Sequence, residues 1–392
     1  MNKIDNRLEA IYNALLINNE NVNSGLLGGT LGEFLFINEY NKVCLNLVDS
    51  NFTHNLLEKV LNYYSDNVFS YNLNYGIVGL GLIIKYLEKD NQKEGYLTNL
   101  NEDILNIVKP YYLNNYKNID LDYMNGIPGI IIYLIENDSN DLIELYIDNL
   151  IKENYLEESG GKWSLNSLLN KDDKAINIGL SHGIISHLYI FLKIYEKGFI
   201  NEKVLSLISK LWSFLQKVKV IPNCSDESYF GTIVKENDKT VNSRLAWCYG
   251  DLSIGYLLLK TSISIDNAEM KEVALNVLLF STNRKTIKDT KIIDAGICHG
   301  SAGVAYIYRK VYEITNIITF KECYEFWIKY TIDGFSFNDG IGGYKFYIPD
   351  KELRFNWINN LSFLEGASGV GLVVMNYKYN NTSNWDQLLM LD

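Results

Sequence analysis

The sequence predicts an all-α fold, an α/α toroid of seven inner and seven outer helices with small irregular or β inserts. Three observations carry this expectation. A glycine-paired element recurs seven times along the 392 residues. Each copy runs into a helix that is apolar on nearly all sides, and helices with a single apolar stripe lie between the copies. An alternation of fully buried and half-buried helices is what a ring of helices inside a second ring requires.

The seven copies read GLLGGTLG (Gly25 to Gly32), GIVGLG (Gly76 to Gly81), GIPG (Gly126 to Gly129), GLSHG (Gly179 to Gly183), CYGDLSIG (Cys248 to Gly255), CHGSAG (Cys298 to Gly303) and EGASG (Glu365 to Gly369). Counted through Gly76, Gly126, Gly179, Gly250, Gly300 and Gly366, the steps are 50, 53, 71, 50 and 66 residues. Each step holds one helix pair, and two of them carry insertions. Behind the glycines come runs such as GLIIKYL, GIIIYLI and GIISHLYIFL, which have no polar face and read as inner helices. Between them stand stripes such as Val204, Leu207, Leu211, Leu215 and Val218, three to four residues apart, with Asn201 as the expected N-cap. Helices of about 11 to 15 residues fit the spacing. If the inner helices point the same end toward one mouth, the glycine turns converge there, although each pair is equally open to the plainer reading of tight helix packing.

A chain of this length exceeds the usual size of one domain, yet its apolar fraction of 47% runs evenly and no linker, charge block or low-complexity tract interrupts it. With only four prolines it favours long helices, so a single domain over 1–392 is expected. A net charge of −11 without a basic, aromatic-interleaved stretch argues against a nucleic-acid footprint and a polybasic membrane anchor. The N-terminus lacks a secretory apolar core and no stretch approaches about 20 consecutive apolar residues, which predicts a cytoplasmic protein. Five scattered cysteines make a poor disulfide framework and read as free thiols or metal ligands.

Only three copies carry ligand-type residues: GLSHG, WCYG and CHG. Cys248 and Cys298 stand at the same point of adjacent copies, and His299 follows the second cysteine. Fifty residues apart, the two cysteines meet only if the repeat brings them together. Taken singly, each is more simply a buried core residue. Their coincidence with the repeat favours one zinc ion held by Cys248, Cys298 and His299. Three protein ligands leave a tetrahedral zinc one open position, which is the catalytic arrangement. Two thiolates balance its charge, so it suits binding and activating an incoming thiol better than polarising a water. Cys44, Cys224, Cys323, His54 and His187 share no such position and are assigned no role.

WCYG at Trp247 to Gly250, CHG at Cys298 to Gly300, GLSHG and the final SFLEGASG, in this order on a sevenfold repeat, resemble the lanthionine synthetase C family, the cyclases that form thioether rings in class I lanthipeptides. The resemblance covers nearly the whole chain. It implies an α/α toroid, zinc on Cys248, Cys298 and His299, and a substrate that is a dehydrated lanthipeptide precursor carrying dehydroalanine or dehydrobutyrine. It further implies a lanthipeptide dehydratase and an ABC exporter as partners, with peripheral placement at the inner face of the membrane through them. The family's active-site histidine falls on His182, an aspartate on Asp122 in DYMNGIPG, an arginine on Arg244 in RLAWCYG, and a tyrosine on Tyr249. Pro128 and Ser253 depart from the pattern at positions that touch no ligand.

The chemistry assigns those four residues the catalytic parts. Addition of a thiol to a dehydroamino acid makes an enolate, whose protonation suits a histidine, here His182. Asp122 would orient and charge-balance it, and Arg244 would stabilise oxyanion charge. Plainer uses stay open: Asp122 as an N-cap, Arg244 in an ion pair, Tyr249 as a packing residue. The inserts Asn223 to Ser243 and Phe335 to Phe355 hold short β-like runs and read as loops or small hairpins. Two other classes compete with the cyclase: a zinc prenyltransferase, which needs a Lys/Arg diphosphate pocket that the copies lack, and a non-catalytic zinc protein of the same fold that binds glutathione or thiol peptides.

Overall fold

Every glycine element runs into a helix in the computed structural model, which describes residues 3–17, 23–44, 50–90, 95–117, 120–153, 176–235, 238–239, 242–349, 352, 354–380 and 383–392. In chain order the helices begin with α1 (Lys3–Ile17), α2 (Thr30–Val43), α3 (Ser50–Asp66), α4 (Ile77–Asp90) and α5 (Gly95–Asn115). They continue with α6 (Ile127–Glu136), α7 (Asn140–Lys152), α8 (Ile185–Glu196), α9 (Asn201–Val218) and α10 (Asp251–Ser264). The last are α11 (Ala268–Ser281), a single turn α12 (Ile287–Thr290), α13 (Ser301–Thr315), α14 (Ile318–Asp333) and α15 (Ala367–Tyr379). The seven helices behind glycine elements are α2, α4, α6, α8, α10, α13 and α15, and among the described residues seven others longer than one turn alternate with them.

Burial follows the sequence pattern. In α6 every residue from Ile127 to Ile135 is buried, Pro128 included, because proline costs nothing in a first turn whose N–H has no intrahelical partner. In α9 burial is confined to Val204, Leu207, Ile208, Leu211, Trp212 and Leu215, one face of a 3.6-residue period. Each such side chain stabilises by about 1.5–3 kcal/mol relative to exposure. Two details differ from expectation. The N-cap of α9 is Ile200, in the left-handed region at φ 46°, and Asn201 is already helical with its Oδ1 unbonded. Helix lengths spread beyond 11 to 15, from 10 residues in α6 to 21 in α5, which runs through Pro110.

The chain separates into two compact units, Met1–Leu100 with Ile292–Asp392, and Asn101–Lys291. In the first, α2 packs on α3 and α15, and α13 on α14 and α15. In the second, α8 packs on α6, α9 and α10, and α10 also on α11. Strands are few. β1 (Ile176–Asn177), β2 (Ile233–Lys235) and β3 (Asp238–Lys239) form one antiparallel sheet in that order. β4 (Phe346–Pro349) and β5 (Phe355–Ile358) form a hairpin, with Tyr347 opposite Trp357. Both expected inserts thus contain strand, although residues 236–237, 240–241, 350–351 and 353 lie outside the described set. Among the described residues no helix is long and apolar enough to cross a membrane.

The glycine turns share one hydrogen-bonding scheme. Six residues before the glycine that precedes each inner helix stands a residue whose carbonyl accepts from the first helical N–H. The pairs are Thr30 to Asn23, Ile77 to Ser70, Ile127 to Asp120, Ile184 to Asn177, Ser301 to Asp294 and Ala367 to Asn360, at 2.8–3.0 Å. Where that residue is Asn or Asp, its side chain also accepts from the N–H two residues on, as at Asp122, Gly179, Gly296 and Ser362. The loop closes so tightly that a Cβ at Gly126 would lie 2.1 Å from the Asp120 carbonyl oxygen. The fifth copy differs. Arg244 occupies the Asx position, and Gly250 alone among these turn glycines is left-handed, at φ 94°.

Candidate metal centre and acid–base pair

The shared turn explains how ligand-type residues are presented. His182, Tyr249, His299 and Glu365 each directly precede the glycine of their copy, and Cys248 and Cys298 stand one residue earlier. Equivalent backbone positions give equivalent directions, so the substitutions decorate one site type in successive copies.

Cys248 is buried, and Cys298 and His299 are half-buried. Cys298 and His299 are adjacent on one turn of the first unit, and Cys248 stands on a turn of the second; all three are donor types that a metal ion takes. Two thiols and an imidazole without a carboxylate form a donor set that suits a borderline-soft ion such as zinc. The backbone holds each ligand firmly. The Cys248 carbonyl accepts from Leu180 N at 2.8 Å, which ties the GLSHG turn to the WCYG turn. The Leu364 carbonyl accepts from Cys298 N at 3.0 Å, and Leu364 N donates to Leu27 O. Glu365 Oε1 stands 3.9 Å from His299 Nδ1, the ring nitrogen that a ligating histidine turns to its supporting partner when Nε2 faces the metal.

His182 and Asp122 form a bonded pair. His182 Nδ1 lies 2.6 Å from Asp122 Oδ2, while Asp122 Oδ1 accepts from Met124 N at 2.8 Å and Asn125 N at 2.9 Å. A carboxylate oxygen accepts, so Nδ1 is the donor in that bond and Nε2 is the ring's other nitrogen. The carboxylate is wholly buried while the imidazole keeps 18% of its exposure, so the pair is anchored at one end and accessible at the other. Burial and the adjacent Asp122 carboxylate raise the Asp120 pKa, against the backbone bond from Asp122 N and the attraction of His182.

Tyr249 joins the same group. Its ring centroid is 6.4 Å from that of His182, and Asn177 Nδ2 donates to its hydroxyl at 3.0 Å. The Tyr249 ring lies so close over Gly179 that a Cβ there would stand 2.3 Å from Cδ1. Arg244 is half-buried, and no hydrogen bond or ion pair joins it to His182, Asp122 or Tyr249 among the described residues. Of the other histidines and cysteines, His187 is fully buried in α8, with its pKa pushed down to about 3 by burial, and Cys323 is buried in α14. Asn177, Glu365 and Asp294 were not singled out from the sequence. Their signal is positional, an Asx or acidic residue at a fixed offset from a repeat glycine.

Helical repeats whose glycine turns carry two cysteines, a histidine and a bonded His–Asp pair narrow the chain to one class, repeat proteins of the α/α toroid type. The solved structure of nisin cyclase superposes with a TM-score of 0.77 at 21% identity, over 100% of this chain and 98% of that one, and the fold is an α/α toroid. In sequence, the nisin biosynthesis protein NisC of Lactococcus lactis subsp. lactis is 25% identical over 367 residues, 87% of this chain and 81% of that protein. The family model for lanthionine synthetase C-like proteins matches residues 20–390. The chain belongs to the lanthionine synthetase C-like family.

Proposed function

We propose that the chain is a lanthipeptide cyclase that adds cysteine thiols of a dehydrated precursor peptide to dehydroalanine or dehydrobutyrine, forming lanthionine or methyllanthionine. Family membership supports the enzyme class. The observation that carries the mechanism is the His182–Asp122 pair on a turn bonded to the backbone of Cys248.

Cys248, Cys298 and His299 are the residues that would hold one zinc ion. Zinc there supplies a site at which a substrate thiol ionises at neutral pH while staying nucleophilic. The sulfur then bonds to the alkene β-carbon, and the alkene electrons move to the carbonyl oxygen as an enolate. Arg244, a half-buried cation without a hydrogen-bonded partner among the described residues, is suited to that developing negative charge. His182 delivers a proton from Nε2 to the α-carbon, which completes the thioether. Asp122 holds the ring by Nδ1 and so fixes its orientation for the transfer. Tyr249, fixed by Asn177, sets its ring against the imidazole and confines it.

In this reading the seven copies work as one domain over 1–392 in the cytoplasm. A dehydratase supplies the alkene and an ABC exporter removes the product, placing the enzyme peripherally at the membrane through those partners. The test is incubation of a dehydrated precursor with and without the protein, followed by thiol alkylation and mass spectrometry. Cyclisation leaves the mass unchanged, so protection from alkylation is the readout. Full alkylation in the presence of zinc-loaded protein sinks the proposal.

A further inference from the structure

A second feature lies in the unit that contains Cys298, on the segment linking the β4–β5 hairpin to the last glycine turn. A cavity of about 490 Å³ opens there, walled by Ala14, Ile17, Ile341 and Leu361, with Glu33 and Asn360 as polar lining. Glu33 sits in the first turn of α2, and its carboxylate makes no hydrogen bond or ion pair with any described residue. Among the described residues no cation lines the cavity. Burial raises the Glu33 carboxyl to about 7. An unpaired carboxylate costs free energy that an entering cation offsets.

The surroundings are shaped for a peptide. β5 pairs only with β4 among the described residues, and all four of its residues are exposed. Phe337, Tyr347, Phe355 and Trp357 form one aromatic cluster on the hairpin, with ring centroids 4.9–5.4 Å apart along the chain of contacts. Phe355 is 54% and Trp357 38% exposed, unusual for stacked rings that cover no core. The hairpin is tied to the metal-ligand turn: the buried Asp294 carboxylate accepts from Tyr347 N at 3.1 Å and from Gly296 N at 2.9 Å. The cavity wall is tied to it as well, since Leu361 lies three residues before Leu364, whose carbonyl accepts from Cys298 N.

We propose that the cavity at Glu33 is a docking subsite for a cationic side chain of the substrate peptide, whose neighbouring residues lie along β5 over the aromatic cluster. Adding an extended segment to an exposed strand gives backbone hydrogen bonds, and a pocket beside that strand gives selection. The chain carries 47 acidic against 36 basic residues, so its field draws a cationic segment in. The identity of the occupant rests on the cyclase reading; the preference for a cation rests on the cavity.

The test uses the full-length protein and two decapeptide pools that lack cysteine and dehydroamino acids, one with lysine and one with norleucine at the fifth position. Retention on immobilised protein is quantified by mass spectrometry. The lysine pool is expected to be enriched about tenfold over the norleucine pool, corresponding to 1.4 kcal/mol. Glu33→Gln, nearly isosteric and free of the charge, should bring the ratio close to one, and Trp357→Ala should weaken retention of both pools while the ratio survives. Circular dichroism confirms that each variant is folded, and Asn360→Ala gives a second variant of the same cavity that should lower the ratio. No lysine enrichment in the parent protein, or an unchanged ratio in Glu33→Gln, overturns the subsite. Ring formation on a dehydrated precursor is scored in parallel. Cyclisation without lysine enrichment removes the subsite alone, whereas enrichment without cyclisation removes the cyclase reading alone.

Discussion

His182 Nδ1 and Asp122 Oδ2 stand 2.6 Å apart, with the carboxylate sealed from solvent and held on its other oxygen by two backbone N–H groups. Sixty residues separate them in sequence. The arrangement fixes the orientation of the ring through Nδ1, which is what a proton donor with a fixed line of delivery needs.

His182→Asn should lower the rate of ring formation by about 10²–10⁴-fold, the range for loss of a positioned general acid. Metal content should persist, because none of the three metal-type donors is touched. Asp122→Asn keeps an acceptor for Met124 N and Asn125 N but sets an amide N–H₂ against Nδ1, so about 10²-fold or more should be lost with the fold intact. Alkylation protection gives the rates and elemental analysis the metal. Unchanged cyclisation in both variants would remove the pair from the mechanism.

Arg244 stands where five other turns place an Asn or Asp whose side chain closes the loop, and its guanidinium takes up no such bond. Its removal should therefore be cheap for stability and costly for turnover. Arg244→Met should reduce kcat about 10²–10³-fold, as for loss of an oxyanion donor, with the urea midpoint close to that of the parent. A large drop in the midpoint with kcat intact would assign the arginine to the turn instead.

Metal retention tests the donor set directly. Cys298→Ala should weaken zinc binding by more than about 10²-fold, since it removes a ligand. Glu365→Gln, next to His299 Nδ1, should weaken it about 10–100-fold through the support of the imidazole. Cys323→Ala serves as the control, because that thiol is buried within α14. Dialysis against a competing chelator followed by elemental analysis ranks the three, and equal retention in all of them would contradict the assignment.

The long helices were legible because their signals are redundant: in α6 or α9 the glycine element, the run of Ile and Leu and the burial period agree with one another. The paired cysteines were legible for the same reason, each standing two residues before a repeat glycine. Single-residue signals were not. Asp120, Asn177, Asp294 and Asn360 act through one side-chain oxygen at a fixed offset, and nothing in composition or periodicity marks them until the turns are superposed. The start of α9 slipped by one residue because a cap is set by backbone geometry, and Ile200 adopts a left-handed conformation that its β-branched side chain disfavours. The pairing of Ile176 with Val234 joins segments far apart in sequence, and its register has no local cue.

His187 provides a pH test outside the site. It is fully buried in α8, and burial lowers its pKa from 6.5 to about 3, so the folded protein keeps it neutral while the unfolded chain protonates it below about 6.5. The unfolded state then binds more protons than the native state across this window, and stability rises with pH there. The contribution is fully present above about pH 6.5 and is lost progressively as the pH falls towards 3, by at most about 4–5 kcal/mol at ~1.4 kcal/mol per unit. His187→Met, similar in volume and without an ionisable group, should flatten this part of the profile. Urea midpoints at pH 7 and pH 4 measure it: the parent should lose clearly more between the two than the variant, and parallel losses would mean that the acid sensitivity originates elsewhere.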